Sequence, residues 1–399
     1  MTPHERMREM NRVRIGIIGI GNMGTCHANN IMAGKCPEID LAAVADINPQ
    51  RLDWAQEHLP ASVARFDDAI AMMDSGMCDA VIVSVPHYDH PRFAIEAIHR
   101  GIHVMCEKPA GVYTKQVRQM NEEAAKSNVL FGMMFNQRTD HVYRKMKEIV
   151  SSGALGAIRR TNWIITDWYR PQAYYNSGAW RATWSGEGGG VLLNQCPHNL
   201  DLWQWICGLP VKVDAHLHYG KWHDIEVEDD VTAYVEYENG ATGTFITTTG
   251  DTPGTNRFEI TLDKGKLIAE GGKLYQWENI MSEPEFTRTN TVPFARPDCT
   301  YSQVETDGKS EQHVGVLNAF AGAILHGTPL VADGKEGIHG LTLSNAMHLS
   351  SWLGREVDLP LDEDLFLSEL QKRIATSRRK VEAASCGVFD LSNTYGVKS

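Results

Sequence analysis

The chain has 399 residues, of which 42% are hydrophobic and 22% are charged. This balance is typical of a globular protein of two or three domains, and it excludes a disordered chain, a collagen-like repeat and a coiled coil. The 38 basic and 50 acidic residues give a formal net charge of −12. Such a charge repels nucleic acid and anionic lipid unless a local basic patch is present, and the sequence has none. We therefore expect neither nucleic-acid nor membrane partners.

The N-terminal extension, residues 1–12, is polar and lacks the apolar stretch of a secretion signal. No run of about 18 apolar residues suggests a membrane span. The eight cysteines include no CxxC pair, and their scatter fits reduced thiols better than a disulfide framework. We therefore expect a cytoplasmic protein.

Short apolar runs alternate with helical patterns over residues 13–138. The runs are Val13–Ile18, Leu41–Ala45, Ala80–Val85, His103–Cys106 and Leu130–Met134, and the helical patterns between them are Asn22–Met32, Pro49–His58, His90–Arg100 and Lys115–Lys126. Alternating strands and helices predict a parallel sheet with helices on both faces. Residues 13–138 are therefore predicted to be one α/β domain.

The pattern changes after residue 138, and residues 139–399 are predicted to form a second domain of α+β type. Apolar residues recur with period two between Val211 and Leu274, and Asn239-Gly240 is a strong hairpin signal. This pattern predicts an open, mostly antiparallel sheet. Helices are expected near Gly308–His326 and Glu336–Gly354, and the C-terminal tail, residues 362–384, reads as a charged amphipathic helix.

A GxGxxG motif follows the first strand directly, as Gly19-Ile20-Gly21-Asn22-Met23-Gly24, and it opens a helix. The glycines permit a tight turn and a close approach to a pyrophosphate, which the helix N-terminus binds. Asp46, at the end of the second strand, is placed to accept a hydrogen bond from a ribose 2′-hydroxyl. Its charge favours NAD over NADP, while Arg51 would soften that preference. NAD is therefore the predicted cofactor.

Two further segments carry candidate catalytic residues. Lys108 follows the strand His103–Cys106, at the end of a parallel sheet where ligands bind, and Pro109 restricts its backbone. Downstream, Asn194 and His198 are four residues apart and Asp201 follows three later. On a helix these three would share one face and form a polar stripe that needs partners or a cavity.

Taken together, these motifs resemble the Gfo/Idh/MocA family of sugar and polyol oxidoreductases. The residues that carry the resemblance are Gly19–Gly24, Ser84-Val85-Pro86 with His87 and His90, Glu107-Lys108-Pro109, and the Gly-rich segment that leads to His198. The resemblance implies a Rossmann domain, an open-sheet domain and catalysis in the cleft between them. It adds Ser84, Pro86, His87, His90, Glu107 and Lys108 to the expected cofactor-binding residues. The segment 163–208 is also similar to bacterial dehydrogenases that oxidise glucosides to 3-keto sugars.

The family's usual catalytic set is a lysine, an aspartate and a histidine. Lys108 and His198 match this set, whereas Asn194 stands at the aspartate position. We expect His198 to be the general base and Lys108 to stabilise the developing alkoxide. Asn194 carries no charge and cannot stabilise an imidazolium, although its amide could orient the ring or bind a sugar hydroxyl.

Aromatic and arginine side chains crowd the segment before the Gly-rich turn. Aromatic faces pack on sugar C–H surfaces, and arginine and tyrosine bind hydroxyls. The predicted substrate-binding residues are Lys108, Tyr169, Arg170, Tyr174, Trp180, Arg181, Asn194 and His198.

Several alternatives remain open at this point. Bound NAD could serve a redox-neutral glycosidase, or the chain could be a non-catalytic dinucleotide- or sugar-sensing regulator. Residues of the types that bind metals lie between His216 and Asp230, so a divalent-metal isomerase or lyase is a further alternative. Our expectation, however, is that the protein has no metal site. We also expect a homo-oligomer that assembles through the Val231–Phe258 sheet.

Overall fold

The computed structural model describes residues 11–378, and the chain divides into two compact units. Within the described residues, the first unit comprises 11–139 and Glu311–Leu341, and the second comprises Asp140–Ser310 and 342–378. This division differs from the predicted one at Thr139 and in the segment 311–341, both of which the sequence pattern assigns to the second domain. Most of the N-terminal extension, residues 1–10, lies outside the described residues.

The first unit is built on a six-stranded parallel sheet. Its elements up to residue 133 are β1 (Val13–Ile18), α1 (Asn22–Met32), β2 (Ile39–Ala45), α2 (Pro49–His58), β3 (Ala64–Phe66), α3 (Ala69–Asp74), β4 (Ala80–Val83), α4 (His90–His99), β5 (His103–Cys106), α5 (Thr114–Ala125) and β6 (Phe131–Met133). The strand order β3-β2-β1-β4-β5-β6 is that of a Rossmann fold. The order reverses between β1 and β4, which makes the carboxyl ends of these two strands the expected ligand position.

Local sequence explains why most of these elements were predictable. Every residue of β4 and β5 is buried, as a parallel strand covered on both faces requires. The elements β3 and α3 were missed, because β3 has three half-buried residues and α3 only six residues. Asp68 caps α3, since its carboxylate accepts hydrogen bonds from the backbone N–H groups of Ile70 and Ala71.

The second unit contains a nine-stranded sheet. Its elements up to residue 304 are α6 (His141–Ser152), β7 (Ile158–Ile165), α7 (Gln172–Tyr175), α8 (Pro197–Cys207), β8 (Lys212–Tyr219), β9 (Glu228–Glu236), β10 (Thr242–Thr248), β11 (Asn256–Leu262), β12 (Gly265–Glu270), β13 (Lys273–Asn279), α9 (Glu283–Thr289) and β14 (Cys299–Val304). Only the β7–β10 pair is parallel among the pairings described. The predicted fold class is therefore confirmed, with a Rossmann sheet followed by a mostly antiparallel one.

Helix α8 packs on the buried face of this sheet through aromatic side chains. Trp203 stacks on Phe245 with 5.2 Å between ring centroids, and its Nε1 donates to the Thr161 hydroxyl at 3.1 Å. A side chain at residue 243 would collide with this packing, since a Cβ built on Gly243 lies 3.1 Å from the Trp203 ring. These contacts fix the helix that carries His198.

The remaining described elements are α10 (Gln312–His326), α11 (Gly337–Leu353), β15 (Val357–Asp358) and α12 (Glu363–Thr376). Helix α10 belongs to the first unit because Val316, Leu317 and Phe320 are buried in the same hydrophobic core as β1. Sequence pattern alone cannot reveal this, since an apolar helix face does not specify its partner. Helix α12 ends at Thr376, earlier than the predicted 384, and residues 379–384 of that prediction lie outside the described residues.

Candidate active site

The glycine loop between β1 and α1 has the close backbone packing that its sequence predicts. Gly19 has φ +85°, and a Cβ there would lie 2.5 Å from the Ser84 carbonyl oxygen. A Cβ at Gly24 would lie 1.9 Å from the Gly19 carbonyl oxygen. Gly21 is different, because nothing lies within 4 Å of a Cβ built there. Two glycines are thus required for packing, whereas Gly21 keeps the exposed face of the loop clear.

The amino end of α1 suits an anionic ligand. No side chain caps this helix at Gly21, so its N-terminus offers backbone N–H groups and the positive end of the helix dipole. Asn22 and Met23 form the first turn, as predicted. The combination of a clear surface at Gly21 and an uncapped helix N-terminus fits a dinucleotide pyrophosphate.

Asp46 and Arg51 both contact this loop. Asp46 Oδ2 accepts from the Ile20 backbone N–H at 2.9 Å, and Oδ1 accepts from the Asn48 N–H at 2.9 Å. Arg51 donates to the Ile20 carbonyl at 2.7 Å and to the Thr25 hydroxyl at 2.7 Å. The Asp46 carboxylate retains acceptor capacity for a ribose hydroxyl, since its two oxygens offer about four lone-pair sites.

Alanine substitutions at Gly21 and Gly24 should separate cofactor binding from folding. Gly21 has φ −68°, which alanine adopts, so Gly21→Ala should lower stability by no more than about 0.5–1 kcal/mol, as expected for a less favourable helix N-cap. Its methyl group should weaken NADH binding by about tenfold or more, or about 1.4 kcal/mol. Gly24→Ala should lower stability by about 1–3 kcal/mol because the backbone must move. Calorimetric NADH titration and thermal melting measure the two effects. Unchanged NADH affinity in Gly21→Ala would contradict this assignment.

The segment after β4 is held by His90. Its Nδ1 lies 2.6 Å from the Pro109 carbonyl oxygen and its Nε2 lies 2.7 Å from the Val85 carbonyl oxygen. Ser84, Pro86 and the buried ring of His87 belong to the same segment. The imidazole of His90 therefore joins the loop after β4 to the loop that carries Lys108. These contacts hold the two loops in position.

Glu107 points into the protein from the residue before Lys108. His27 Nε2–H donates to Glu107 Oε1 at 2.7 Å, and the Lys108 backbone N–H donates to Oε2 at 3.2 Å. Burial alone would raise the pKa of Glu107, but the His27 hydrogen bond and the neighbouring positive charges outweigh it and lower this pKa to about 2. Glu107 thus anchors the Lys108 backbone to α1.

His313 of α10 lies beside this pair, with its ring centroid 5.6 Å from that of His27. Burial is the main cause that lowers the pKa of His313 to about 4. A buried histidine with this pKa is neutral at pH 7 and resists protonation in the folded state.

Acidification should destabilise the protein through His313. Between pH 6.5 and about 4 the unfolded chain binds a proton at His313 that the folded chain does not, so the free energy of unfolding falls as the pH is lowered through this window. His313→Gln should reduce this pH dependence. Denaturant unfolding at several pH values between 7 and 4 measures it, with the exposed His326→Gln on the same helix as the control. An equal pH slope in wild type and His313→Gln would refute the prediction.

His198 lies in the first turn of α8, where it is 2% exposed. Asn194 does not share this helix, contrary to the prediction of a stripe formed by Asn194, His198 and Asp201. Residues 191–196 form turns, and α8 starts at Pro197, a residue suited to the first helical position. The Glu228 carboxylate stabilises these turns by accepting from the backbone N–H groups of Gly190 at 2.8 Å and Leu192 at 2.9 Å.

Four polar side chains form a connected cluster in the second unit. The Arg181 Nη1 donates to the Tyr174 hydroxyl at 2.7 Å, and this hydroxyl donates to Asn194 Oδ1 at 3.2 Å. Asn194 Nδ2 in turn donates to the carboxylate of Glu187. Three predicted substrate-binding residues are thus brought together, and Glu187 joins them. We call these four residues the Glu187 cluster.

Aromatic rings and guanidinium groups surround this cluster. The Arg181 guanidinium lies over the rings of Tyr174, at 4.5 Å, and Trp180, at 4.7 Å. The Arg170 guanidinium lies 5.3 Å from the Tyr174 ring centroid. Tyr169 is 44% exposed. These side chains present aromatic faces and hydrogen-bond donors together, as carbohydrate recognition requires.

Two of the histidines between His216 and Asp230 pair with two different carboxylates. His218 Nδ1 lies 3.0 Å from Asp230 Oδ1, and His223 Nδ1 lies 3.0 Å from Asp229 Oδ2. The Asp229 carboxylate also accepts backbone hydrogen bonds from residues 221–223. Within residues 11–378, no group of three or more histidine, cysteine or acidic side chains is arranged to hold a metal ion.

Two family descriptions match this chain over consecutive segments. "Oxidoreductase family, NAD-binding Rossmann fold" matches residues 13–135, and "GFO/IDH/MocA C-terminal domain" matches residues 143–268. The chain belongs to the Gfo/Idh/MocA family. The predicted cofactor, NAD, is confirmed by this family, whose N-terminal domain is NAD-binding.

Curated relatives of this Gfo/Idh/MocA protein include two polyol and sugar dehydrogenases. Myo-inositol 2-dehydrogenase of Thermotoga maritima is 26% identical over 357 residues, which cover 87% of this chain and 98% of that protein. D-glucoside 3-dehydrogenase of Escherichia coli is 29% identical over 252 residues, which cover 57% of this chain and 68% of that protein.

Solved structures show the same architecture. The WlbA dehydrogenase of Chromobacterium violaceum, in complex with NADH and UDP-GlcNAcA, is 26% identical with a TM-score of 0.76, covering 88% of this chain and 97% of that one. Levoglucosan dehydrogenase in complex with NADH and levoglucosan is 21% identical with a TM-score of 0.71, over 88% of this chain and all of that one, and this likeness supports the fold. In the described part of this Gfo/Idh/MocA chain, no helix has the length and apolar character of a membrane span.

Sequence reasoning missed three buried residues of the Gfo/Idh/MocA scaffold that contact predicted site residues. They are His27 and Glu187, which contact such residues directly, and His313, which packs against His27. Glu187 gave one signal that could have been used, since it is a lone acidic residue within the run Gly186–Gly190. His27 and His313 gave none, because their partners come from distant parts of the sequence.

Proposed function

We propose that this protein oxidises one secondary hydroxyl of a sugar, glycoside or polyol to a ketone, with NAD as the hydride acceptor. A glucoside oxidised at carbon 3 is the substrate we would test first. The observation that carries the proposal is the Glu187 cluster, in which Tyr174, Arg181 and Asn194 form a hydrogen-bonded and aromatic surface. The inositol and glucoside dehydrogenases among the relatives support the same substrate class.

The proposed mechanism assigns separate roles to two residues. When bound, NAD supplies the acceptor for the hydride from the carbinol carbon. His198 accepts the hydroxyl proton as the general base. Lys108 donates a hydrogen bond to the same hydroxyl oxygen and stabilises the negative charge that develops there. Glu107 and His90 hold the Lys108 loop in place.

The remaining residues are proposed to bind and orient. Gly19, Gly21, Gly24 and Asp46 would hold the dinucleotide, whereas Tyr169, Arg170, Tyr174, Trp180, Arg181 and Asn194 would bind the substrate. The negative charge of Asp46 favours NAD over NADP, because a carboxylate repels a 2′-phosphate.

A substrate panel tests the proposed function. The purified protein is incubated with glucose, several glucosides, myo-inositol and other polyols, with and without added NAD, and reduced nicotinamide is followed by absorbance. The product is trapped with borodeuteride to identify the oxidised carbon. NADH formation with a stoichiometric keto product supports the proposal. Glycoside cleavage without net NADH indicates a redox-neutral glycosidase, and binding without turnover indicates a regulator; either result overturns it.

We also propose that the protein is a homo-oligomer that assembles through the Val231–Phe258 sheet. Strand β9 alternates buried and exposed residues, with Val231, Ala233 and Val235 buried. Its other face exposes Thr232 and Tyr234, and an exposed sheet face of this kind suits association. Light scattering coupled to size exclusion tests this.

A further inference from the structure

Glu187 is a buried carboxylate in the second unit, and the mechanism above gives it no role. It is 2% exposed, and each of its oxygens accepts from a different donor. Oε2 accepts from the Ala182 backbone N–H at 2.6 Å, and Oε1 accepts from Asn194 Nδ2. The ionised carboxylate accepts at both oxygens, whereas a protonated carboxyl would carry an O–H donor on one of them, so two N–H donors at this distance favour the ionised form, which only accepts.

The acceptor-only character of Glu187 sets the direction of the neighbouring hydrogen bonds. Because Asn194 must turn its NH2 toward Glu187, its Oδ1 faces the Tyr174 hydroxyl and accepts from it. That hydroxyl in turn accepts from Arg181 at 2.7 Å. Gln195 Nε2 also donates to this hydroxyl at 3.2 Å and to Asn194 Oδ1 at 3.3 Å. The donors therefore run in one direction, from Arg181 through Tyr174 and Asn194 to Glu187, and such a chain strengthens each of its bonds.

Glu187 also holds a strained backbone in place. Ala182 has φ +54°, a conformation that L-residues other than glycine rarely adopt. Its N–H is bound by Glu187, and its carbonyl accepts from the Glu226 N–H at 3.2 Å. The neighbouring Arg181 is thereby directed over the Tyr174 ring. Strain next to predicted binding residues is typical of a functional site.

The charged and titratable groups that interact electrostatically with Glu187 include Arg181, Glu228, Tyr174 and Tyr175. Arg181 Nη1 lies 4.0 Å from Glu187 Oε1. Burial raises the pKa of Glu187, and the nearby Glu228 adds to this effect, while Arg181 and the hydrogen bonds from Ala182 and Asn194 oppose it. Burial likewise raises the pKa of Tyr174, which keeps its hydroxyl protonated and able to donate.

We propose that Glu187 is a positioning residue for the substrate site, which fixes Asn194, Tyr174 and Arg181 in the one orientation that matches the hydroxyl pattern of a carbohydrate ring. This role rests on the proposed function. Glu187 acts through these three side chains, so it governs substrate affinity more than the chemical step.

Glu187→Gln tests this role because glutamine has a single side-chain oxygen. It can accept from Ala182 or from Asn194, but it cannot accept from both, and the remaining donor is left facing an NH2 group. We expect the KM for the sugar to rise about tenfold or more while kcat changes by less than about threefold and NADH affinity stays within about twofold. Glu148→Gln, at an exposed position of α6 in the same unit, is the matched control.

An exchange of the two side chains provides the sharper test. Asn194→Asp alone places two carboxylates in contact, so it should weaken activity, and less so at lower pH, where the pair shares a proton. In the double variant Glu187→Gln/Asn194→Asp, the oxygen of the introduced glutamine accepts from Ala182, and its NH2 donates to the introduced aspartate, which still accepts from Tyr174. The double variant should therefore recover a KM within about threefold of wild type.

The outcomes separate this proposal from the proposed function. The positioning role is supported if the wild-type protein forms NADH from the sugar, Glu187→Gln has a raised KM, and the double variant recovers a KM near that of wild type. Wild-type turnover with an unchanged KM in Glu187→Gln, or a double variant no better than the worse single variant, overturns it while the oxidoreductase function stands. If the wild-type protein turns over no sugar, the proposed oxidoreductase function fails. The melting temperatures of the two single variants and of the double variant then test the hydrogen bonds of the Glu187 cluster. A double variant that melts no higher than the less stable single variant overturns the assigned hydrogen bonds as well.

Discussion

His198→Ala is expected to lower kcat for the sugar by about a hundredfold to ten-thousandfold, the range that general acid–base catalysis contributes. The imidazole is the group proposed to accept the hydroxyl proton, and its position in the first turn of α8 is fixed by the packing of Trp203 on the sheet. The measurement is steady-state NADH formation with the substrate identified by the panel. NADH affinity should stay at the wild-type value, because His198 lies outside the Rossmann unit.

A matched control for this variant is His216→Ala, since His216 is an exposed residue of β8 in the same unit. It should retain wild-type turnover. Circular dichroism and thermal melting of both variants separate loss of the base from loss of the fold. Turnover of His198→Ala within a few-fold of wild type would remove His198 from the mechanism.

Lys108→Met is expected to lower kcat by about a hundredfold to a thousandfold, the loss seen when one donor to a developing oxyanion is removed. Methionine retains much of the apolar stem of lysine but has no ammonium group, so the change tests charge and hydrogen bonding more than packing. Steady-state kinetics measure kcat, and fluorescence titration measures NADH affinity. Because Lys108 is also an expected cofactor-binding residue, the expected pattern is a fall in kcat that clearly exceeds the fall in NADH affinity.

The control for Lys108→Met is Lys126→Met, because the Lys126 ammonium is an exposed partner of Glu123 at the end of α5. It should behave as wild type. If Lys108→Met instead weakens NADH binding as strongly as it lowers kcat, the expected cofactor-binding role of Lys108 accounts for the whole loss and the catalytic assignment is wrong.

Local sequence was sufficient wherever a feature depends on neighbouring residues. The hairpin at Asn239-Gly240 is an example, since Gly240 has φ +81° and the flanking strands β9 and β10 pair antiparallel. The Asn-Gly pair was enough to predict this turn and its two strands, because the two residues readily adopt the backbone conformation of a tight hairpin.

Features that depend on contacts between residues far apart in the sequence were predicted less completely. Asn194 was expected on the helix of His198, but the turns of residues 191–196 are held by Glu228, which lies on β9. The segment 311–341 was expected in the second domain, but Phe320 is buried in the core of the first unit. In both cases the deciding contact joins residues far apart in the chain, and periodicity carries no information about it.

Local patterns of residue types were enough to predict the Rossmann sheet, the antiparallel sheet and the glycine loop, and to select Lys108 and His198 as candidates. Tertiary structure decided how those residues are held. His27 and Glu107 lie 80 positions apart, yet their side chains meet at 2.7 Å. Glu187 follows Arg181 closely in the chain, but only the turn at Ala182 brings its carboxylate to Asn194 and to the Ala182 N–H. A buried charge is stable only with such partners, and the fold supplies them.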